Sequence, residues 1–167
     1  KRFLFFKKAL SFMEIVFQNI WVKLCPFNNF IDEAEKIIKS EKKIHSVIIS
    51  GNPFIQFKFG YQLSKKYNIP WIADYRDAWT ASTINNISGN SIKTAINLYQ
   101  QYFEKKWVKT ASYITASSIP IGESMGKLVN VKSEAIYNGF EPSDFIQYSN
   151  VPKITSHFQI VYIGTLY

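Results

Sequence analysis

At 167 residues, 47% hydrophobic and 19% charged, the chain has globular composition and the length of a domain with a sizeable core; disordered and fibrous classes are excluded. A net charge of +8, nearly all of it lysine, favours anionic partners such as phosphates, a nucleotide or an anionic membrane face, unless the lysines serve solubility alone. One cysteine, Cys25, excludes an internal disulfide framework and suits a reducing compartment.

Residues 1–24 predict a long helix with a narrow polar stripe of Lys7, Ser11, Glu14 and Gln18 among aromatics and aliphatics. Lys7, Lys8 and Glu14 interrupt it too often for a membrane span, and no small-residue cleavage site marks a signal sequence. It either packs between protein elements, which its narrow polar face favours, or lies at a lipid boundary. Pro26 breaks the pattern, and residues 32–40 predict a short helix with acids in its first turn and lysines later.

The stretch 47–79 reads as strand, turn, helix, strand and charged loop. Val47 to Ser50 is a short apolar run closed by Gly51-Asn52-Pro53. Residues 54–67 put Phe54, Phe57, Tyr61 and Leu63 at mostly helical spacing, with Lys58 among the polar positions. Asn68 and Pro70 stop that helix, and Trp71-Ile72-Ala73 opens a second strand. Two strands joined by a helix make a parallel βαβ unit, so both following loops leave the carboxyl edge of the sheet, where open α/β sheets bind ligands.

Residues 80–90, rich in Ser, Thr, Asn and Gly, predict a flexible loop. Helix 91–109 follows, with Ile92, Ala95, Ile96, Tyr99, Phe103 and Trp107 on one period, and then strand 112–116. Ser117-Ser118 caps helix 119–129, which has Pro120 in its first turn. A fourth strand spans 134–137 and ends at Asn138-Gly139; Pro142 and Pro152 mark a polar linker; residues 158–163 predict a fifth strand. Four pieces result: helix 1–25, an α/β domain at 26–145, a linker at 146–157, and the first strand of a further domain at 158–167. An opening without Met and an end just after an apolar run lead us to expect a fragment of a longer polypeptide.

In a parallel sheet the strand ends gather on one rim: Ser50, Gly51 and Asn52; Asp74, Arg76 and Asp77; Ser117 and Ser118; Asn138 and Gly139. Two acids and an arginine beside Tyr75 and Trp79 point to a ligand site, with Asp77 contacting a substrate hydroxyl and Arg76 an anion or a carboxylate. The plainer reading has Asp77 capping a turn and paired to Arg76. Neither a phosphate-binding P-loop nor a dinucleotide glycine motif is present, His45 and His157 stand alone without metal-ligand spacing, and Ser117-Ser118 lacks a nucleophile elbow. The basic residues form no nucleic-acid motif.

Four segments, IPWIADYRDAW (69–79), ASYITASS (111–118), AIYNGFEPSDF (135–145) and IVYIGTLY (160–167), occur in an order that resembles the amino-terminal domain of the GT-B glycosyltransferases of family four. The resemblance covers roughly 26–167. It implies a Rossmann-like parallel sheet with helices on both faces, the amino-terminal half of a GT-B fold truncated at both ends. It also implies transfer of a sugar from a nucleotide-diphosphate donor to an acceptor hydroxyl, with retention expected, in cell-surface polysaccharide or glycolipid synthesis. Asp77 and Arg76 become the catalytic candidates. Asn52, Asp74, Tyr75, Trp79, Ser117, Ser118, Asn138 and Gly139 become substrate-binding candidates, and Gly164 and Thr165 the donor-phosphate loop. The partners implied are a nucleotide-sugar donor and a sugar, glycan or lipid-linked acceptor, with no metal, no cofactor and no nucleic acid. The location implied is the cytoplasm, with peripheral contact at the inner face of the plasma membrane left open. Two departures stand: the family's opening strand and glycine-rich loop are missing, and its donor-binding glutamates belong to a second domain. The fragment alone is therefore expected to be inactive. The alternatives are a GT-B sugar-nucleotide epimerase and a non-catalytic α/β module for an anionic partner.

Overall fold

Short β-branched or aromatic runs between turn residues make the strands, and apolar residues at helical spacing make the elements between them. A computed structural model of the chain describes residues 28–41, 43–81 and 91–146, with Met13, Phe17 and Tyr162. Its elements are α1 (Asn28–Ser40), β1 (Val47–Ser50), α2 (Gln56–Tyr67), β2 (Trp71–Tyr75), α3 (Ser91–Val108), β3 (Tyr113–Ala116), α4 (Ile119–Val129), β4 (Ser133–Ala135) and α5 (Ser143–Ile146). The four strands form one sheet, all parallel, in the order β1-β2-β3-β4. The fold is α/β and Rossmann-like. The predictions for 1–24 apart from Met13 and Phe17, most of 80–90, most of the linker and of the fifth strand, and Gly164-Thr165 fall outside the described residues.

Register decides what each face carries. Val47 pairs with Trp71, Ala73 with Ile114 and Tyr75 with Ala116, so these residues share one face with Ile49. Ile48, Ser50, Ile72, Asp74, Tyr113 and Thr115 share the other. The first face meets the helices: a Cβ on Gly60 of α2 would stand 2.5 Å from the Trp71 ring, and one on Gly122 of α4 would stand 3.5 Å from the Ala116 Cβ. Between them, α3 contributes Phe103, Trp107 and Val108 to a core that also holds Phe57, Trp71, Tyr75 and Met125. Each large side chain buried this way contributes about 2–3 kcal/mol.

Helices were expected on both faces. Among the described residues the three crossover helices share one, with α3 touching both α2 and α4. The strand order explains it: each strand is followed by its neighbour in one direction, and crossovers of one hand then put their helices on one side. On the opposite face Ile48 is 66% exposed.

Several predicted boundaries move. The first described helix starts at Asn28 rather than at 32, so its first turn holds no acid and the dipole argument for it fails. α2 begins at Gln56, because Pro53 and Phe54 form a turn whose carbonyls accept from Gln56 and Phe57 N–H. Its end is as predicted: Asn68 adopts the left-handed conformation beyond the last turn. Lys58, placed on the polar face from its side chain, is buried instead, with Nζ 5.9 Å from the centroid of Trp107; its stem packs while the ammonium meets a ring. Thr80, assigned to the flexible loop, is 1% exposed. α4 occupies the predicted 119–129, with Pro120 in its first turn. No helix among the described residues is long and apolar enough to cross a membrane.

The chain divides into two units, Lys1–Tyr137 and Asn138–Tyr167. In the second, Asn138, Gly139 and Phe140 are exposed. The short α5 follows Glu141, whose carbonyl accepts from the Asp144 N–H and whose carboxylate accepts from the Ser143 hydroxyl at 3.2 Å.

Candidate functional site at the carboxyl rim

Ser50 ends β1, Asp74 and Thr115 are the last residues but one of β2 and β3, and register sets the three side by side on the open face. The Asp74 carboxylate collects its neighbours. Ser50 Oγ donates to Oδ2 at 2.9 Å, Thr115 Oγ1 to Oδ1 at 2.8 Å, and Arg76 Nε to Oδ2 at 2.9 Å. Burial alone pushes this carboxyl up. The hydrogen bonds from Thr115, Arg76 and Ser50 and the Arg76 charge outweigh it, so its pKa lies below the ordinary value. Asp74 therefore stays ionised and serves as the anchor of the rim.

Arg76 is held on three sides. Its Nε is on Asp74, an Nη donates to the Ile136 carbonyl at 3.4 Å, and its own carbonyl accepts from Ser117 Oγ at 2.7 Å. The plainer reading, in which Arg76 pairs with Asp77, gives way to a pairing of Arg76 with Asp74, 2.9 Å away. Asp77 is exposed and has neither a hydrogen bond nor an ion pair to other described residues.

Tyr75 and Trp79, expected to touch substrate, go the other way. Strand alternation sends Tyr75 to the helix-covered face, where it is fully buried and its hydroxyl donates to Glu104 Oε1 at 2.9 Å. Burial and then the Glu104 charge push the phenol well above its ordinary value. Trp79 is 8% exposed and stacks on Phe54 at 5.2 Å between centroids, with Trp107 at 6.0 Å. Both rings anchor the loop rather than line the rim.

The first turn is shaped by close approach. A Cβ on Gly51 would stand 2.6 Å from the Phe57 ring, so only glycine fits beside it. Asn52 is exposed with φ 97°, in the left-handed region that asparagine tolerates, and a cis bond joins it to Pro53. On the third strand end, Ser117 is committed to the Arg76 backbone. Ser118 is the residue before α4, in extended conformation, yet its side chain makes no capping hydrogen bond. Its carbonyl accepts from Gly122 instead. Asn138 and Gly139 belong to the second unit and are described there.

Thr115, Thr80 and Glu104 were missed in the sequence. Thr115 lies inside a strand, and only register brings it to Asp74. Glu104 sits between Phe103 and Lys105, where it reads as a surface acid; yet Trp107 and Val108 lie three and four positions on, so the buried stripe of α3 includes it. It is fully buried, and burial raises its pKa despite hydrogen bonds from Thr80 and Tyr75. A cavity of about 480 Å³, lined by Glu123, Lys127, Asn130 and Lys132 among others, lies at the opposite edge of the sheet, before β4. We give it no part in the chemistry, since the strand-end residues are all at the other edge. Among the described residues no group of three His, Cys, Asp or Glu could hold a metal ion.

No protein-family model, curated protein or solved structure matches the chain.

Proposed function

We propose that this chain is the acceptor side of a sugar transferase, with Asp77 taking the acceptor hydroxyl and Arg76 supplying the positive charge beside it. The observation that carries this reading is the treatment of Asp77. In the segment from Asp74 to Thr80, Asp74, Tyr75, Arg76 and Thr80 are hydrogen-bonded within the chain, and Trp79 is stacked. Asp77 alone among the polar residues of that loop is left to solvent, on the carboxyl rim where α/β sheets take ligands. A carboxylate on a loop whose neighbouring residues are hydrogen-bonded, and itself unpaired among the described residues, can accept a hydrogen bond from a hydroxyl and act as its base.

The donor would be a nucleotide-diphosphate sugar held by a second domain, and the acceptor a sugar, glycan or lipid-linked hydroxyl. Neither needs a metal on this side. We assign the protein to the cytoplasm from its single cysteine and lysine excess, with a lipid-linked acceptor met at the inner face of the membrane.

The test is Asp77→Asn in the full polypeptide that carries this chain, assayed for nucleotide-diphosphate release with a panel of nucleotide sugars. Turnover should fall by about a hundredfold or more, the scale of a lost general base, with the melting temperature unchanged. Wild-type turnover in the variant would remove Asp77 from the site.

A further inference from the structure

We propose that Glu104 is a positioning residue for the rim: one carboxylate in α3 closes the loop bearing Arg76 and Asp77 by holding it at both ends. Tyr75 is the last residue of β2, and its hydroxyl donates to Oε1 at 2.9 Å. Thr80 is the residue after Trp79, and its hydroxyl donates to Oε2. Two turns earlier on α3, Asn97 Nδ2 donates to the Thr80 carbonyl at 3.2 Å. Thr80 is thus fixed through hydroxyl and carbonyl by one helix.

Glu104 is 0% exposed and Thr80 1%. A carboxylate removed from water this completely is costly, and an apolar side chain of similar volume closes a core as well or better. What an apolar residue cannot do is fix two hydroxyls at a set separation. The two oxygens of Glu104 join residues 75 and 80, and the four residues between them become a closed loop with its span determined. Trp79 stacks on Phe54 and on Trp107 and so ties the loop to the core. Ser117 fixes the Arg76 carbonyl from the neighbouring strand. Asp77 is then the residue presented outward.

The functional consequence rests on the reading of the rim as an acceptor site, but the clamp is tested without substrate, so the two can fail separately. Backbone NMR order parameters of the chain, read at residues 76–79, compare Thr80→Val with Thr80→Ser. The wild-type loop should be rigid, near about 0.85, and Thr80→Val should drop it below about 0.6. Thr80→Ser keeps the hydroxyl and should restore the wild-type values, with β3 unchanged throughout. A wild-type loop already below about 0.6 would overturn the proposal. So would a valine variant as rigid as wild type, a serine variant as loose as the valine one, or an equal loss in β3. Should Thr80→Val not fold, Tyr75→Phe removes the hydroxyl at the other end of the loop and is read by the same values.

Discussion

Asp74 and Glu104 are two carboxylates largely removed from water, on opposite faces of the same sheet, and their environments pull them in opposite directions. Both accept hydrogen bonds from two hydroxyls. Asp74 has in addition a guanidinium at 2.9 Å, and its pKa falls. Glu104 has phenol and hydroxyl donors, the more distant charge of Lys105, and deeper burial; its pKa rises. Hydroxyl donors alone do not offset the loss of water, whereas the same donors with a bonded cation do. The rim is thus built around a charge kept as a charge, and the core around a charge held under strain from its surroundings.

The largest effect that can break this contrast is deletion on the core side. Glu104→Ala leaves the Tyr75 and Thr80 hydroxyls without their acceptor in a place water does not reach, and opens a cavity. A loss of about 3 kcal/mol is expected from urea unfolding of the chain. A loss under about 1 kcal/mol would mean that water takes the carboxylate's place, and the core side of the contrast would be lost.

A smaller effect is expected at the rim. Asp74→Asn keeps the shape but gives Arg76 a neutral partner, and should cost about 1.5–2 kcal/mol at neutral pH. The pH dependence sharpens it. Because the folded-state pKa of Asp74 is lowered, its stabilisation is complete above the ordinary carboxylate value and is lost as pH falls through the folded one. The wild-type chain should therefore lose stability as pH falls below about 4, and Asp74→Asn should lose less of it over that window. Equal acid-side losses in both proteins would show that Arg76 does not set the charge of Asp74.

How much of this was legible in the sequence divides along the same line. Three described strands were readable as short apolar runs, β1 closed by glycine, asparagine and proline and β3 by two serines; β4, expected at 134–137, forms instead at Ser133–Ala135. α4 was readable to the residue, since Pro120 sits in its first turn, and Asn130 ends it in the left-handed conformation. Asp74 and Arg76 were legible as an ion pair in waiting, but their partners were not. Whether Arg76 turns to Asp74 or to Asp77 depends on which face of β2 each side chain takes, and the participation of Thr115 depends on register between strands that are 41 residues apart in the chain. Tyr75 and Trp79 misled for a physical reason: aromatics beside charges suggest a binding wall, but alternation and stacking took these two into the core. Glu104 had a faint signal, its position on the buried stripe of α3, hidden by the lysines at 105 and 106.

The finest test of the contrast separates the charge of Glu104 from its shape. Its folded-state pKa is raised, so the sign is opposite to that of Asp74. The stability linked to it is fully present below the ordinary glutamate value and is lost as pH rises through the folded one. Glu104→Gln keeps an acceptor and the side-chain volume while removing the titration. Its stability should therefore fall less than that of wild type as pH rises above the ordinary glutamate value, the smallest of the three effects and visible only as a change of slope in urea midpoints. Matching slopes would mean that the hydrogen bonds from Tyr75 and Thr80 compensate burial in full. Glu104 would then behave as Asp74 does, and the difference between rim and core would reduce to geometry.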